Sequence, residues 1–145
     1  MELPEGYQLT EDLKRMDFDR VTAWLAQTYW VPGISKAEME RSAQNSALVL
    51  GIFDKQGIQV AFMRLVSDKT RFAYLMDVFV DPAHRGKGLA TVMVQYAFDH
   101  PDFKTVIQWV LGTRDAHEVY RPLGFKEFEH PERWMSRFLP WRSER

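Results

Sequence analysis

The sequence contains no cysteine among its 145 residues. This absence excludes disulfide bonds, thiolate metal ligands and a cysteine nucleophile, and it is consistent with a reducing compartment. No stretch approaches the roughly 18 consecutive apolar residues that a membrane-spanning helix needs, and the acidic N-terminal segment MELPEGYQLTEDLKRMD lacks the apolar core of an export signal. We therefore predict a cytoplasmic protein without a membrane segment.

An excess of charge of either sign is also missing. Nineteen Lys and Arg residues stand against twenty Asp and Glu residues, for a formal net charge of −1. Without a global positive field, the chain is not expected to bind nucleic acid or an anionic membrane surface, so any anion site must be local. The intervals between the histidines, 16, 17 and 13 residues, match no short metal-ligand motif, and we predict no metal. These histidines are His84, His100, His117 and His130.

Strand and helix patterns follow one another along the whole chain, with no repeat, low-complexity tract or linker. We therefore predict a single domain over residues 1–145. The expected elements are a strand around 7–9, helices over 17–28 and 35–44, strands over 47–53, 59–66 and 72–80, a helix over 89–99, a strand over 106–111, a short helix within 115–124, and strands near 126–129 and 134–138. This order, β-α-α-β-β-β-α-β-α-β-β, predicts an α/β (α+β) fold in which about four helices flank a mixed, mostly antiparallel sheet of about seven strands.

Capping signals mark the limits of two helices. Ser35 and Glu38 have the spacing of a capping box, in which the hydroxyl accepts from the N3 amide and the carboxylate accepts from the N-cap amide. We expect a helix to begin directly after Ser35. Farther along, Asp115 is the expected N-cap of the short helix, and Gly124 is its expected C-terminal stop.

The segment HRGKGLAT, residues 84–91, lies between a predicted strand and a predicted helix. A glycine-containing turn that leads into a helix leaves several backbone N–H groups unpaired at the positive end of the helix dipole. Such a turn is typical of a phosphate site. Two nucleotide motifs fit badly. The dinucleotide fingerprint needs a glycine where Thr91 stands, and the P-loop needs Gly-Lys followed by Ser or Thr, whereas Lys87 precedes Gly88.

Two segments of the chain resemble one known family. VFVDPAHRGKGLAT, residues 78–91, resembles the acetyl-CoA-binding segment of the GNAT acetyltransferases, whose pattern is Gln or Arg, two residues, Gly, one residue, then Gly or Ala. Arg85, Gly88 and Ala90 occupy those positions. TRDAHEVYRPLGF, residues 113–125, resembles the later helix of the family, with its tyrosine followed by a Gly-Phe turn. The predicted element order matches the family fold over nearly the whole chain, from residue 7 to residue 138.

The resemblance implies a binding site for acetyl-CoA. The backbone amides from Arg85 to Thr91 would bind the pyrophosphate, and the end of the preceding strand would pair with the pantetheine arm. Members of the family splay this strand from the next one, so that the thioester lies in the gap. The expected cofactor-binding residues are Val78, Phe79, Val80, Arg85, Gly86, Lys87, Gly88, Leu89, Ala90 and Thr91.

The resemblance also implies direct attack by a neutral amine on the acetyl carbonyl, with a backbone N–H near Phe79 polarising the oxygen. Tyr120 stands where the family keeps a tyrosine that donates to the departing sulfur, although a packing role also fits this residue.

The sequence does not identify the general base, because many relatives carry an acidic pair where this chain reads Met76-Asp77. Asp77 is a candidate for a base or for a structural carboxylate, and His117 is a candidate proton relay.

In this family the loop between the first two helices commonly lines the substrate site, and here it carries Tyr29 and Trp30. These rings would grip an apolar or cationic amine, unless they are core residues that close the first helix. The expected reaction is acetyl transfer to a primary amine of a small molecule, amino acid or peptide, by a monomer or homodimer that binds neither nucleic acid nor membrane. Two alternatives stay open: a non-catalytic acyl-CoA-binding or sensing module with the same fold, and a nucleotide-phosphate-binding interaction domain.

Overall fold

The computed structural model describes residues 2–139, which form one five-stranded sheet with helices on both faces. Its elements are β1 (Gln8–Thr10), α1 (Phe18–Leu25), α2 (Lys36–Gln44), β2 (Leu48–Phe53), β3 (Gln59–Ser67), β4 (Phe72–Val80), α3 (Leu89–Asp99), β5 (Gln108–Val110) and α4 (His117–Tyr120). Neighbouring strands follow chain order, and all pairs are antiparallel except β4 and β5, which α3 connects in parallel. The mixed, mostly antiparallel sheet and the element order as far as α4 agree with the sequence prediction.

The core is divided between the two faces of the sheet, and the side chains of β2 alternate between them. Leu50 and Ile52 belong to the core that β2 shares with α3, whereas Val49 belongs to the core shared with α1 and α2. Successive residues of a strand point to opposite faces, so a strand that is apolar over its whole length is buried on both sides. This explains why every residue of β2 is buried.

The beginning of α2 confirms the predicted capping box. Ser35 Oγ accepts from the Glu38 N–H, and Glu38 Oε1 accepts from the Ser35 N–H, both at 3.1 Å. The first helix ends earlier than predicted, at Leu25. Beyond it the N–H of Thr28 bonds to the Leu25 carbonyl, three residues back instead of four, so the chain tightens into a turn and leaves the helix.

Two predicted strands, near residues 126–129 and 134–138, are absent from the described part of the chain, so the sheet has five strands and not seven. A period-two pattern shows that a segment can be a strand, but a strand also needs a partner, and the sheet ends at β5. A turn over Pro131–Arg133 separates the two segments, and Met135 in the second is 97% exposed.

The N-cap prediction at Asp115 is also wrong. α4 begins at His117 with Ala116 at the N-cap, and the Thr113 hydroxyl accepts the N–H of Ala116 at 3.0 Å. α4 itself ends at Tyr120, before the predicted stop, and Gly124, with φ +97°, ends the 3-10 turn over Arg121–Leu123 that follows it.

The strands β4 and β5 are paired over only three positions, from Phe72 with Gln108 to Tyr74 with Val110. Beyond Tyr74 the second half of β4 keeps β3 on one side, and no other strand of residues 2–139 pairs with it on the other side. The splay that the family resemblance implies is therefore present, and it opens the cleft described below. No helix within residues 2–139 is long and apolar enough to cross a membrane.

Candidate active site

A cleft of about 1080 Å³ occupies the gap between β4 and the segment after β5. Five parts of the described chain line it: residues 28–31 between α1 and α2, residues 74–80 of β4, the turn and first residues of α3, residues 111–116 with part of α4, and Phe138. Segments far apart in sequence thus meet at one site because the parallel pair β4 and β5 diverges. The cleft brings together most of the residues that the sequence analysis singled out.

The glycine turn at one end of the cleft presents unpaired backbone amides. Gly86 and Gly88 have φ of +78° and +77°, a conformation that favours glycine, and Gly88 is the N-cap of α3 without a side-chain hydrogen bond. Within residues 2–139 no acceptor is found for the N–H groups of Leu89, Ala90 and Thr91. Three free amides at a helix N-terminus suit an anionic group.

The two cations of this turn differ in their surroundings. Arg85 lines the cleft and contacts the end of the preceding strand, β4. Its Nε donates to the Val80 carbonyl at 3.0 Å, and its guanidinium lies 5.4 Å from the centre of the Phe79 ring. Lys87 is exposed, and it is not among the described residues that line the cleft. Arg85 is therefore the cation of this turn that borders the cleft.

A β-bulge interrupts β4 where it enters the cleft. Arg64 pairs with Met76 and Phe62 pairs with Phe79, so one residue of β3 faces two residues of β4, Asp77 and Val78. Asp77 has φ +55°, a left-handed conformation that few residues other than glycine adopt, although aspartate tolerates it better than most. The bulge thus includes Val78, the first of the residues expected to meet the pantetheine arm, and a bulge bends the strand that carries it.

The Asp77 carboxylate is buried and both of its oxygens are engaged. Arg64 Nε donates to Oδ2 at 2.6 Å, and Trp30 Nε1 donates to Oδ1 at 2.9 Å. The side chains of Arg64 and Asp77 are only 12% and 3% exposed. Our sequence reasoning missed Arg64, although a lone cation in the apolar run of β3, thirteen residues before the lone anion of β4, was a usable signal.

Tyr29 and Trp30 lie at the surface of the cleft and are not core residues, since Trp30 is 40% exposed and Tyr29 is comparably so. The Tyr29 hydroxyl accepts from the backbone N–H of Arg114 at 2.9 Å, and the Arg114 guanidinium lies 3.9 Å from the centre of the Tyr29 ring. The two rings meet edge to face with centroids 5.0 Å apart. The loop after α1 and the segment after β5 thus join at the cleft.

Tyr120 is 8% exposed and borders the same cleft. Its hydroxyl makes no hydrogen bond with any residue in the described part of the chain. Burial, followed by the influence of nearby Tyr29, raises the pKa of Tyr120 to about 12. The phenol therefore stays protonated at neutral pH and is free to donate a hydrogen bond into the cleft.

His117 lies outside the residues that line the cleft in the described chain. It borders a separate pocket of about 210 Å³, hereafter the small pocket, to which Trp109, Phe125 and Phe128 also contribute. Tyr120 borders both cavities, but the structure does not bring His117 together with Asp77. Residues 2–139 contain no group of three or more His, Asp or Glu side chains placed to hold a metal ion.

Comparison with known proteins identifies relatives of this fold. The sequence model of the Acetyltransferase (GNAT) family matches residues 7–125. The structure is similar to that of a protein from Xanthomonas campestris pv. campestris assigned to the GNAT family, with 35% identity, a TM-score of 0.86 and 96% of each chain covered. It shares its fold with a predicted acetyltransferase from Clostridium acetobutylicum solved with acetyl-CoA, with 17% identity, a TM-score of 0.67, and 91% of this chain and 94% of that one covered.

Among curated proteins, an uncharacterized N-acetyltransferase from Methanocaldococcus jannaschii is 32% identical over 72 residues, which are 47% of this chain. The chain spans 32% of that relative's length. The family match, by contrast, extends over most of the chain and includes both the glycine turn and Tyr120. The chain therefore belongs to the GNAT family of acetyltransferases.

Proposed function

We propose that this protein is an acetyl-CoA-dependent N-acetyltransferase that acetylates a primary amine of a small molecule, amino acid or peptide by direct attack. One observation carries the proposal: a single cleft connects the free amides at the start of α3 with Tyr120, whose hydroxyl makes no hydrogen bond within residues 2–139. A module that only binds coenzyme A needs the amides but has no use for a proton donor in the same cleft.

Coenzyme A would lie along the open side of β4. The amides of residues 86–91 suit the pyrophosphate; the Arg85 N–H already donates to the Pro82 carbonyl, so Arg85 contributes the positive charge of its side chain. The pantetheine arm carries amides of its own and would pair with Val78 and Phe79, where no described strand borders the cleft side of β4. The Val80 carbonyl already accepts from Arg85, so we expect the pairing to end before it. The acetyl group would then lie between β4 and Tyr120.

In the proposed reaction the amine nitrogen attacks the acetyl carbonyl carbon, and a backbone N–H near Phe79 stabilises the developing oxyanion. The carbon–sulfur bond then breaks, the nitrogen loses a proton, and the products are the N-acetyl amine and free coenzyme A. Tyr120 would donate a hydrogen bond to the departing sulfur. Because a phenol of pKa about 12 is a weaker acid than a thiol of pKa near 8.5, we expect this bond to strengthen as charge builds on sulfur, without a lasting phenolate.

An amine of pKa near 10.4 must lose a proton before it attacks, and Asp77 is the proposed recipient. It borders the cleft, whereas His117 borders the small pocket. Each Asp77 oxygen already accepts one hydrogen bond, but a carboxylate oxygen has a second lone pair, so a water molecule in the cleft can carry the proton to it.

The test is a screen of amines with acetyl-CoA, read as the release of free thiol. Since the chain has no cysteine, the thiol of coenzyme A is the only one that the reaction mixture generates. Tyr120→Phe serves as the matched control for true turnover. Release with at least one amine, strongly reduced in the control, supports the proposal. Tight binding of acetyl-CoA without release by any amine would instead support the non-catalytic acyl-CoA-binding module.

A further inference from the structure

We propose that Arg64 is a positioning residue of this active site, which holds the Trp30 indole at the wall of the cleft by way of the Asp77 carboxylate. The inference rests on the proposed function, since it assigns to Trp30 a place beside the amine acceptor. Arg64 does not border the cleft, so its influence must pass through another side chain.

The first argument is the burial of the ion pair. Arg64 and Asp77 lie on the adjacent strands β3 and β4, in an otherwise apolar part of the sheet, and both side chains are nearly inaccessible to solvent. A buried ion pair seldom stabilises a fold more than well-packed apolar side chains would, because both charges lose their hydration. A contribution to stability therefore does not explain why the ion pair is present. We infer that Arg64 instead sets the geometry of the Asp77 carboxylate.

The second argument is what the other oxygen of Asp77 does. While Oδ2 accepts from Arg64, Oδ1 accepts from the indole N–H of Trp30, 47 residues earlier in the chain. The guanidinium thus fixes the rotation of the carboxylate, and the carboxylate fixes the indole. Asp77 also has a left-handed backbone conformation and lies in the bulge of β4. This uncommon backbone conformation sets the direction in which its side chain leaves the strand toward Trp30.

The third argument is the way in which the loop between α1 and α2 is attached. Its base is closed by the N–H of Gly33, which donates to the Ala26 carbonyl at 2.8 Å. At its tip, Trp30 is substantially exposed, so core packing does not determine the orientation of the ring. Hydrogen bonds hold the tip instead, from Trp30 to Asp77 and from the Arg114 N–H to Tyr29. Loss of the Asp77 contact would free one of the two rings that form this wall.

The first experiment observes Trp30 directly and needs no substrate. In ¹⁵N-labelled protein, the indole N–H signal of Trp30 is assigned from its loss in Trp30→Phe. Arg64→Lys keeps the charge but removes the planar guanidinium. We expect exchange of the Trp30 indole proton and of the amides of residues 28–31 to become at least ~10-fold faster in Arg64→Lys. Arg15→Lys, the same change at an exposed arginine that bonds Gln8, is the matched control and should leave both unchanged.

The second experiment measures kinetics with an amine that the screen identifies. Arg64→Lys and Trp30→Phe should each raise KM for the amine by roughly 10-fold while the affinity for acetyl-CoA stays within about 2-fold of the wild type. Because both changes break the same chain of contacts, the double variant should be little worse than either single one. Trp30→Phe keeps the test valid should Arg64→Lys fail to fold.

Three outcomes would overturn the inference. Unchanged indole and loop exchange in folded Arg64→Lys would show that the guanidinium does not hold Trp30. Additive effects in the double variant would show that the two residues act separately. A parallel loss of acetyl-CoA affinity would show that Arg64 maintains the shape of β4 and does not act specifically on Tyr29 and Trp30. If no amine is acetylated, the proposed function fails, while the exchange experiment still decides the role of Arg64.

Discussion

The Tyr29 hydroxyl accepts a hydrogen bond of 2.9 Å from the backbone N–H of Arg114, 85 residues later in the chain. This contact joins the loop after α1 to the segment after β5, and both segments line the cleft. Tyr29 is also close enough to Tyr120 to contribute to its raised pKa. The rings proposed to contact the amine, Tyr29 and Trp30, and the proposed proton donor, Tyr120, thus lie in adjacent parts of one cleft.

Removal of the Tyr120 hydroxyl tests the proposed donor. Tyr120→Phe keeps the ring and its edge-to-face contact with Phe125, so the fold should lose no more than about 1 kcal/mol of stability. Turnover with a verified amine should fall by roughly 10² to 10⁴, the range for loss of a positioned general acid. Steady-state kinetics, thermal denaturation and a coenzyme A titration together check this. An unchanged kcat in the folded variant would remove Tyr120 from the mechanism.

The raised pKa of Tyr120 predicts a specific behaviour at alkaline pH. Its pKa is about 12 in the folded protein and near its ordinary value of 10.0 in the unfolded chain, so folding favours the protonated phenol. The resulting stabilisation is complete below pH 10 and is lost as pH rises through 12. An ultraviolet titration of tyrosinate in the folded Tyr120→Phe variant should show one ionisation near pH 12 fewer than in the wild type.

Tyr96 is the matched control for this titration. Its pKa is also raised to about 12, chiefly by a hydrogen bond to Glu11, and Tyr96 is not among the described residues of the cleft. Tyr96→Phe should therefore remove a late ionisation without any effect on turnover. Ionisation of Tyr120 with its ordinary pKa of 10.0 would show that burial of this residue does not disfavour the phenolate, contrary to the prediction.

Substitution of Gly88 tests the proposed phosphate site. Gly88→Val places a branched side chain at a left-handed N-cap beside the free amides of α3, and calorimetry should detect no binding of coenzyme A. Gly57→Val is the matched control, because Gly57 also has a positive φ (+81°) but lies in the turn between β2 and β3. The Gly57→Val variant should bind coenzyme A with wild-type affinity, although its backbone is strained in the same way. Wild-type affinity in Gly88→Val would place the phosphate site elsewhere.

The role of Asp77 as recipient of the amine proton is tested by Asp77→Asn. The substitution keeps the shape of the side chain and removes its charge, so the acidic limb of the pH–rate profile should shift or disappear. Arg64 is then left without its counter-charge, and folding must be verified by circular dichroism. A folded variant with an unchanged pH–rate profile would show that Asp77 is structural, and His117 would be the next residue to test.

Local patterns in the sequence determined much of the fold. The predicted bounds of β4 are the observed ones, those of β2 and β3 differ by one residue, and the capping box at Ser35 is present as expected. These features depend on residues close together in the chain, namely periodicity, caps and turns. The same holds for the glycine turn before α3 and for the two segments that resemble the GNAT family, since each is a contiguous motif.

Only the tertiary structure decided which distant side chains meet. No local pattern states that Trp30 and Arg64 converge on Asp77, or that Arg114 binds Tyr29, because such contacts depend on strand register, on the bulge in β4 and on loop paths. Spacing placed His117 near Tyr120 on a helix, and both border the small pocket, but only the tertiary structure shows that Tyr120 also borders the cleft while His117 does not. The two missing strands have the same explanation: alternation is a local property, whereas a strand exists only where another part of the molecule offers its backbone for pairing.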